Sequence, residues 1–102
     1  MAKLIIQIPC FNEAKSIWIT LSALPRSVPG FDQVEWLIVD DGSIDDTADV
    51  AKAYGADHIV RHTTNQGLAK AFMTGLEACL SLGADVIVNT DADNQYNAED
   101  IP

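Results

Sequence analysis

Basic residues are scarce in this sequence: six Lys and Arg stand against fifteen Asp and Glu over 102 residues, for a formal net charge of −9. So little positive charge excludes direct capture of nucleic acid or anionic lipid. A phosphate-bearing ligand would need a cation to bridge it to the acids. Cysteine is rarer still. Cys10 and Cys79 alone give no disulfide framework and no zinc spacing, and both read as small core residues in a reducing compartment. No apolar run approaches the ~20 residues that cross a bilayer, and the N-terminus lacks the layout of a signal peptide. The expected location is the cytoplasm. Also missing are the glycine trio that admits a pyrophosphate after a first strand and the Walker lysine loop. His58 and His62 lie four apart on a strand-like segment, where that spacing does not build the helical two-histidine metal site.

What is present is apolar and regularly punctuated. At 48% hydrophobic, the chain reads as one unit over residues 1–102 with room for a modest core. Residues 4–8, 34–39, 58–61 and 85–90 read as strands, the first closed by Pro9 and the last buried. Three helical patterns separate them. One starts at Asn12 as N-cap and carries Ile17, Leu21 and Leu24 to a stop at Pro25. The next runs from about Asp45 with Thr47, Val50, Ala51 and Tyr54 on one face and ends at Gly55. The last opens at Asn65-Gln66-Gly67, capped by Asn65, with Leu68, Phe72, Leu76 and Cys79 as its buried seam and Gly83 at its end. These assignments use the apolar period of 3.6 and the residues favoured at helix ends. Strand-helix alternation predicts an α/β fold: an open, mostly parallel sheet with right-handed crossovers and helices on both faces, and the strand order adopted for it is 3-2-1-4.

In a parallel sheet every strand-to-helix loop emerges at the same edge, and ligands bind in the crevice at the carboxyl ends. The polar loops 9–13, 40–43, 63–67 and 91–95 are therefore expected to meet. In extended chain, Asp91, Asp93 and Gln95 project to one flank and offer three oxygens. That set suits a hard cation such as Mg²⁺ or Mn²⁺, although the same residues are common in turns. Asp40 is either an acceptor for a base or ribose hydroxyl or part of a turn, and Ser43 reads as a turn and N-cap residue. Glu13 is either first-turn charge or a ligand contact. Trp18 and Trp36 are expected to pack, and His58 and His62 to sit at an edge or in a loop.

Four blocks then resemble a known pattern: Ile8-Pro9-Cys10-Phe11-Asn12-Glu13, Val39-Asp40-Asp41-Gly42-Ser43 through Thr47, Asn65-Gln66-Gly67 with Ala71 and Gly75, and Asp91-Ala92-Asp93-Asn94-Gln95 followed by Glu99-Asp100-Ile101-Pro102. In order and spacing they are similar to family 2 glycosyltransferases, and within them to the polyprenyl-phosphate sugar synthases. The resemblance implies the Rossmann-like, nucleotide-binding half of a GT-A fold that takes a nucleotide-diphosphate sugar donor. Pro9, Phe11, Glu13, Asp40 and Asp41 would surround base and ribose, while Asp91, Asp93 and Gln95 would hold Mn²⁺ or Mg²⁺ on the diphosphate. The acceptor would be a polyprenyl (dolichyl-type) phosphate or another acceptor. The catalytic base is expected beyond residue 102, in an acceptor half this sequence does not include, and the longer protein could associate with the cytoplasmic face of a membrane. Ile44, Ala69 and Asn94 depart from the usual residues at their positions. An Asp-x-Asp phosphatase or phosphotransferase and a non-catalytic nucleotide-binding domain are the competing readings. An unpaired fourth strand would also leave a sheet edge open to self-association as a homo-oligomer.

Overall fold

The computed structural model describes residues 2–90. Its elements in chain order are β1 (Lys3–Cys10), α1 (Ile17–Ala23), β2 (Gln33–Asp40), α2 (Thr47–Ala53), β3 (His58–Arg61), α3 (Leu68–Ser81) and β4 (Val86–Asn89). The strands form one sheet in the order β3-β2-β1-β4, and each neighbouring pair is parallel. The expected fold class and strand order both hold. Side chains alternate across a strand, so β1, which is buried on both faces, feeds two cores. Leu4, Ile6, Ile8 and Cys10 join Trp36 and Ile38 beneath Ile17 and Leu21 of α1 and Ala51 of α2. Ile5 joins Leu37 and Val39 beneath Ala71 and Cys79 of α3. Each large apolar side chain fully buried this way contributes about 1.5–3 kcal/mol.

Four boundary readings are corrected by tertiary context. β1 runs through Pro9 to Cys10. Gln7 O accepts from Thr90 N on the β4 side, and Cys10 O accepts from Asp41 N on the β2 side. Residue 9 therefore faces the β4 side, beyond the last β1–β4 pair of Gln7 with Asn89, and the missing proline N–H removes no bond to β2. Helix α1 begins at Ile17 rather than after Asn12, which sits at φ 52° in the loop. The fourth strand lies at the edge of the sheet among the described residues, as the order 3-2-1-4 implies, but it is not buried: Val86 and Val88 are each 43% exposed. Ser43 does not cap α2, whose N-cap is Asp46. Trp36 packs as expected, whereas Trp18 is 44% exposed and tilts against Tyr54.

The seam of α3 also differs from its apolar pattern. Ala71, Gly75 and Cys79 are the buried positions, whereas Leu68 is 66% exposed and Phe72 36% exposed. The small residues win because the helix closes on a buried polar side chain. Gln7 is fully buried in β1 and donates from Nε2 to Asn89 Oδ1 at 3.2 Å. A Cβ on Gly75 would lie 1.9 Å from Gln7 Oε1 and 3.1 Å from Val39 Cγ2. Glycine in a helix interior ordinarily costs about 1 kcal/mol relative to alanine, so here packing decides the sign. Gly75→Ala is expected to destabilise the chain by about 1–3 kcal/mol, and by less when Gln7 is also alanine, because the two side chains contest one space. Urea unfolding of the two single variants and the double variant measures this; a stabilised Gly75→Ala would show that α3 does not close on Gln7.

Candidate functional site

The loops at the carboxyl edge are stitched to one another. Asn12 N donates to Ser43 Oγ at 2.8 Å and Ile44 N donates back to Asn12 Oδ1 at 3.0 Å. Glu13 N donates to Thr47 Oγ1 at 2.8 Å, and Ala14 N to Asp45 Oδ2 at 3.2 Å. These bonds fasten the loop after β1 to the loop after β2. A second set fastens the loop after β2 to the loop after β3. Gly42 lies so close beneath that loop, at φ +78°, that a Cβ would sit 2.4 Å from Asn65 N. No other residue type tolerates both the left-handed backbone and the contact. On the far side, Thr90 N donates to Gln7 O at 3.0 Å, which brings the end of β4 to the same edge.

The neighbouring aspartates Asp40 and Asp41 part to opposite faces of the sheet, as successive residues of extended chain must. Asp40 is fully buried on the face of α1 and α2. Its Oδ1 accepts from Ser43 N at 3.0 Å, the turn role expected for it. Its Oδ2 makes no hydrogen bond among the described residues. Arg61 Nε lies 3.4 Å from that oxygen, an ion-pair distance without the alignment of a bond. A buried acceptor without a hydrogen bond costs about 1–3 kcal/mol, and the Arg61 charge beside it offsets part of that cost.

Asp41, on the α3 face, is saturated. Its Oδ1 accepts from Gln66 N at 2.9 Å and pairs with His62 Nδ1 at 2.7 Å. Its Oδ2 accepts from Gly67 N at 2.9 Å and Asn65 Nδ2 at 3.1 Å. Thus Asn65 does not cap α3, whose N-cap is Gly67 without a side-chain bond, and Asp41 takes the two amides just ahead of the helix. Burial works against the charge on Asp41, but the bonds from His62 and from the Gln66 and Gly67 amides outweigh it and hold the carboxyl below its usual range. Asp45 is likewise held low: burial opposes its charge, and the Thr47 hydroxyl and the amides of Thr47 and Ala14 outweigh it.

Of the other residues singled out in the sequence, Pro9 is buried in β1 and Phe11 stands 41% exposed at the rim. The Glu13 carboxylate accepts from Ser16 Oγ at 3.3 Å, and its carbonyl accepts from Ser16 N and Ile17 N at the start of α1. Asp91, Asp93 and Gln95 lie outside the described residues. Among the described residues no three His, Cys, Asp or Glu form a metal cluster, and no helix is long and apolar enough to cross a membrane. Both cysteines are buried and free. Burial, then the charge of Asp40, pushes the Cys10 thiol far up. His58 on edge strand β3 and His62 in the loop after it lie as expected, but the sequence did not disclose that the His62 side chain is only 8% exposed.

Because the folded-state pKa of Asp41 lies below the ~3.9 of an unfolded aspartate, its contribution to stability is complete above that value. It is lost as the pH falls through and below it. Asp41→Asn is expected to destabilise the chain by about 2–4 kcal/mol at pH 7. Urea unfolding should show that gap narrowing at pH 3; an equal gap at both pH values would deny the ionised hub.

Residues 5–102 match the sequence profile of Glycosyl transferase family 2. An undecaprenyl-phosphate mannosyltransferase from Micrococcus luteus is 38% identical over 99 residues, covering 93% of this chain and 40% of the relative. A polyprenol monophosphomannose synthase from Mycolicibacterium smegmatis is 31% identical, covering 95% of this chain and 37% of the relative. The chain thus spans 37–40% of the length of these relatives. Among solved structures, glucosyl-3-phosphoglycerate synthase from Mycobacterium tuberculosis, in complex with Mn²⁺, UDP and glucosyl-3-phosphoglycerate, superposes with a TM-score of 0.70 at 25% identity over 90% of this chain and 34% of its own. A mannosyltransferase from Pyrobaculum calidifontis, in complex with GDP-Man and Mn²⁺, gives 0.63 at 27% identity over 95% of this chain and 29% of its own. The chain therefore belongs to glycosyl transferase family 2, and its parallel sheet, in the order β3-β2-β1-β4, is that of the GT-A glycosyltransferases on which it superposes.

Proposed function

We propose that this chain binds the nucleotide-diphosphate sugar donor of an inverting, metal-dependent glycosyltransferase whose acceptor is a polyprenyl phosphate. The observation that carries the reading is the stitching of three polar loops along one carboxyl edge, with a buried Asp40 oxygen left without a hydrogen bond beside them. Asp40 would accept a base N–H or a ribose hydroxyl. Phe11 would lay its exposed ring against the base, a contact that every base can make. Pro9, Glu13 and Asp41 would shape the walls around base and ribose. The names of the relatives support a polyprenyl phosphate acceptor.

Asp91, Asp93 and Gln95 have the hard-oxygen chemistry of a Mn²⁺ or Mg²⁺ site. The described part of the chain before them, β4 and Thr90, ends at the carboxyl edge beside Gln7. The ion, when bound, neutralises charge on the departing nucleoside diphosphate, which a chain of net charge −9 cannot do with its own bases. A cytoplasmic location and association of two copies through the β4 edge belong to the same proposal, supported by the unpaired cysteines and by the exposed Val86 and Val88.

Calorimetric titration of the 102-residue chain with UDP- and GDP-sugars tests the reading. Heat is expected with Mn²⁺ present and none after chelation; Asp93→Ala should lose the metal-dependent part, and Asp40→Asn should weaken binding about tenfold or more. Absence of binding to every sugar nucleotide would overturn the donor site. Undiminished metal-dependent heat in Asp93→Ala would overturn the cation assignment alone.

A further inference from the structure

We propose that His62 is a positioning residue for donor recognition, acting through Asp41. The imidazole follows β3 directly and is enclosed between β2 and α3, its side chain 8% exposed. Both ring nitrogens are engaged: Nδ1 with Asp41 Oδ1 at 2.7 Å and Nε2 with Thr74 Oγ1 at 2.8 Å. An ionised carboxylate only accepts, so the Nδ1 proton belongs to His62 and points at Asp41. In the neutral ring Nε2 then accepts from the Thr74 hydroxyl. Asp41 thereby sets the tautomer and Thr74 holds the ring plane, as the orienting partner of a functional histidine does.

The consequence reaches the donor site because Asp41 has no freedom of its own. Its remaining partners are the Gln66 and Gly67 amides and the Asn65 amide group, all on the loop after β3. The sheet already holds the main chain at Asp41, whose N donates to Cys10 O at 2.8 Å. His62 is the one partner of the carboxylate tied to the body of α3, by way of Thr74. It therefore fixes the direction of the carboxylate, and with it the loop amides that bond to it, against a rigid helix, and a site held within about 0.5 Å needs such support. Nothing in the sequence pattern assigns this role: His62 lies outside every motif block quoted above.

The inference rests on the donor-site reading, and its test separates the two. Isothermal titration of the wild-type chain, His62→Ala, His62→Gln, Asp41→Asn and the His62→Ala/Asp41→Asn double variant is made with UDP and GDP in the presence of Mn²⁺, each protein first shown folded by its thermal transition. His62→Ala is expected to weaken binding of the preferred nucleotide about tenfold. His62→Gln, whose amide keeps a donor, should recover a part of that loss. His62→Ala should add no further loss once Asp41 is already Asn, because the two act as one unit. Nitrogen NMR of the wild-type imidazole should show the proton on Nδ1. If the wild-type chain binds neither nucleotide, the donor site itself falls. If it binds and His62→Ala lowers only the thermal midpoint, or if the two losses multiply in the double variant, or if the proton sits on Nε2, the positioning role alone falls.

Discussion

One buried carboxylate ties the functional edge of this molecule together. Asp41 accepts from the two amides just ahead of α3, from Asn65 and from His62, so a single charge holds the end of β2, the loop after β3 and the start of α3 in one arrangement. Remove that charge and three elements lose their common fastening. The interaction works because it is charge-assisted and largely sheltered from water, where such bonds are stronger than neutral ones. It also frees Asp40 from structural duty on that side. The adjacent aspartate turns to the opposite face of the sheet and keeps an oxygen without a hydrogen bond.

The parallel sheet makes this economy of parts possible. With β1 at the centre and buried on both faces, strands on either side must present their carboxyl ends at the same edge. The loops that carry Phe11 and Glu13, Asp40 to Ser43, and Asn65 to Gly67 meet there without any long excursion of the chain. Family membership and the structural likeness to glycosyltransferases solved with Mn²⁺ and nucleotides agree with that geometry.

Legibility of the sequence varied with the kind of information an element carries. β3 was readable to the residue, and β2 to within one residue at each end, because short apolar runs bounded by turn residues have few alternative uses. Helix α3 was readable in extent but not in orientation. Leu68 and Phe72 advertise a hydrophobic face, yet the sheet is met by Ala71, Gly75 and Cys79, because only small residues let the helix approach Gln7. Asn12 and Asn65 looked like helix caps, and both are instead used to fasten loops across the edge.

The sequence by itself determined the α/β alternation and the candidate acids, since these depend on local periodicity, on turn chemistry and on motif spacing along the chain. Only the tertiary structure decided the strand order, which aspartate is saturated and which retains an oxygen without a hydrogen bond, and that His62 is enclosed between a strand and a helix. The physical reason is that hydrogen-bond satisfaction and burial belong to groups far apart in the chain: Asp41 meets partners 21 to 26 positions away, and no local pattern records which of them will arrive.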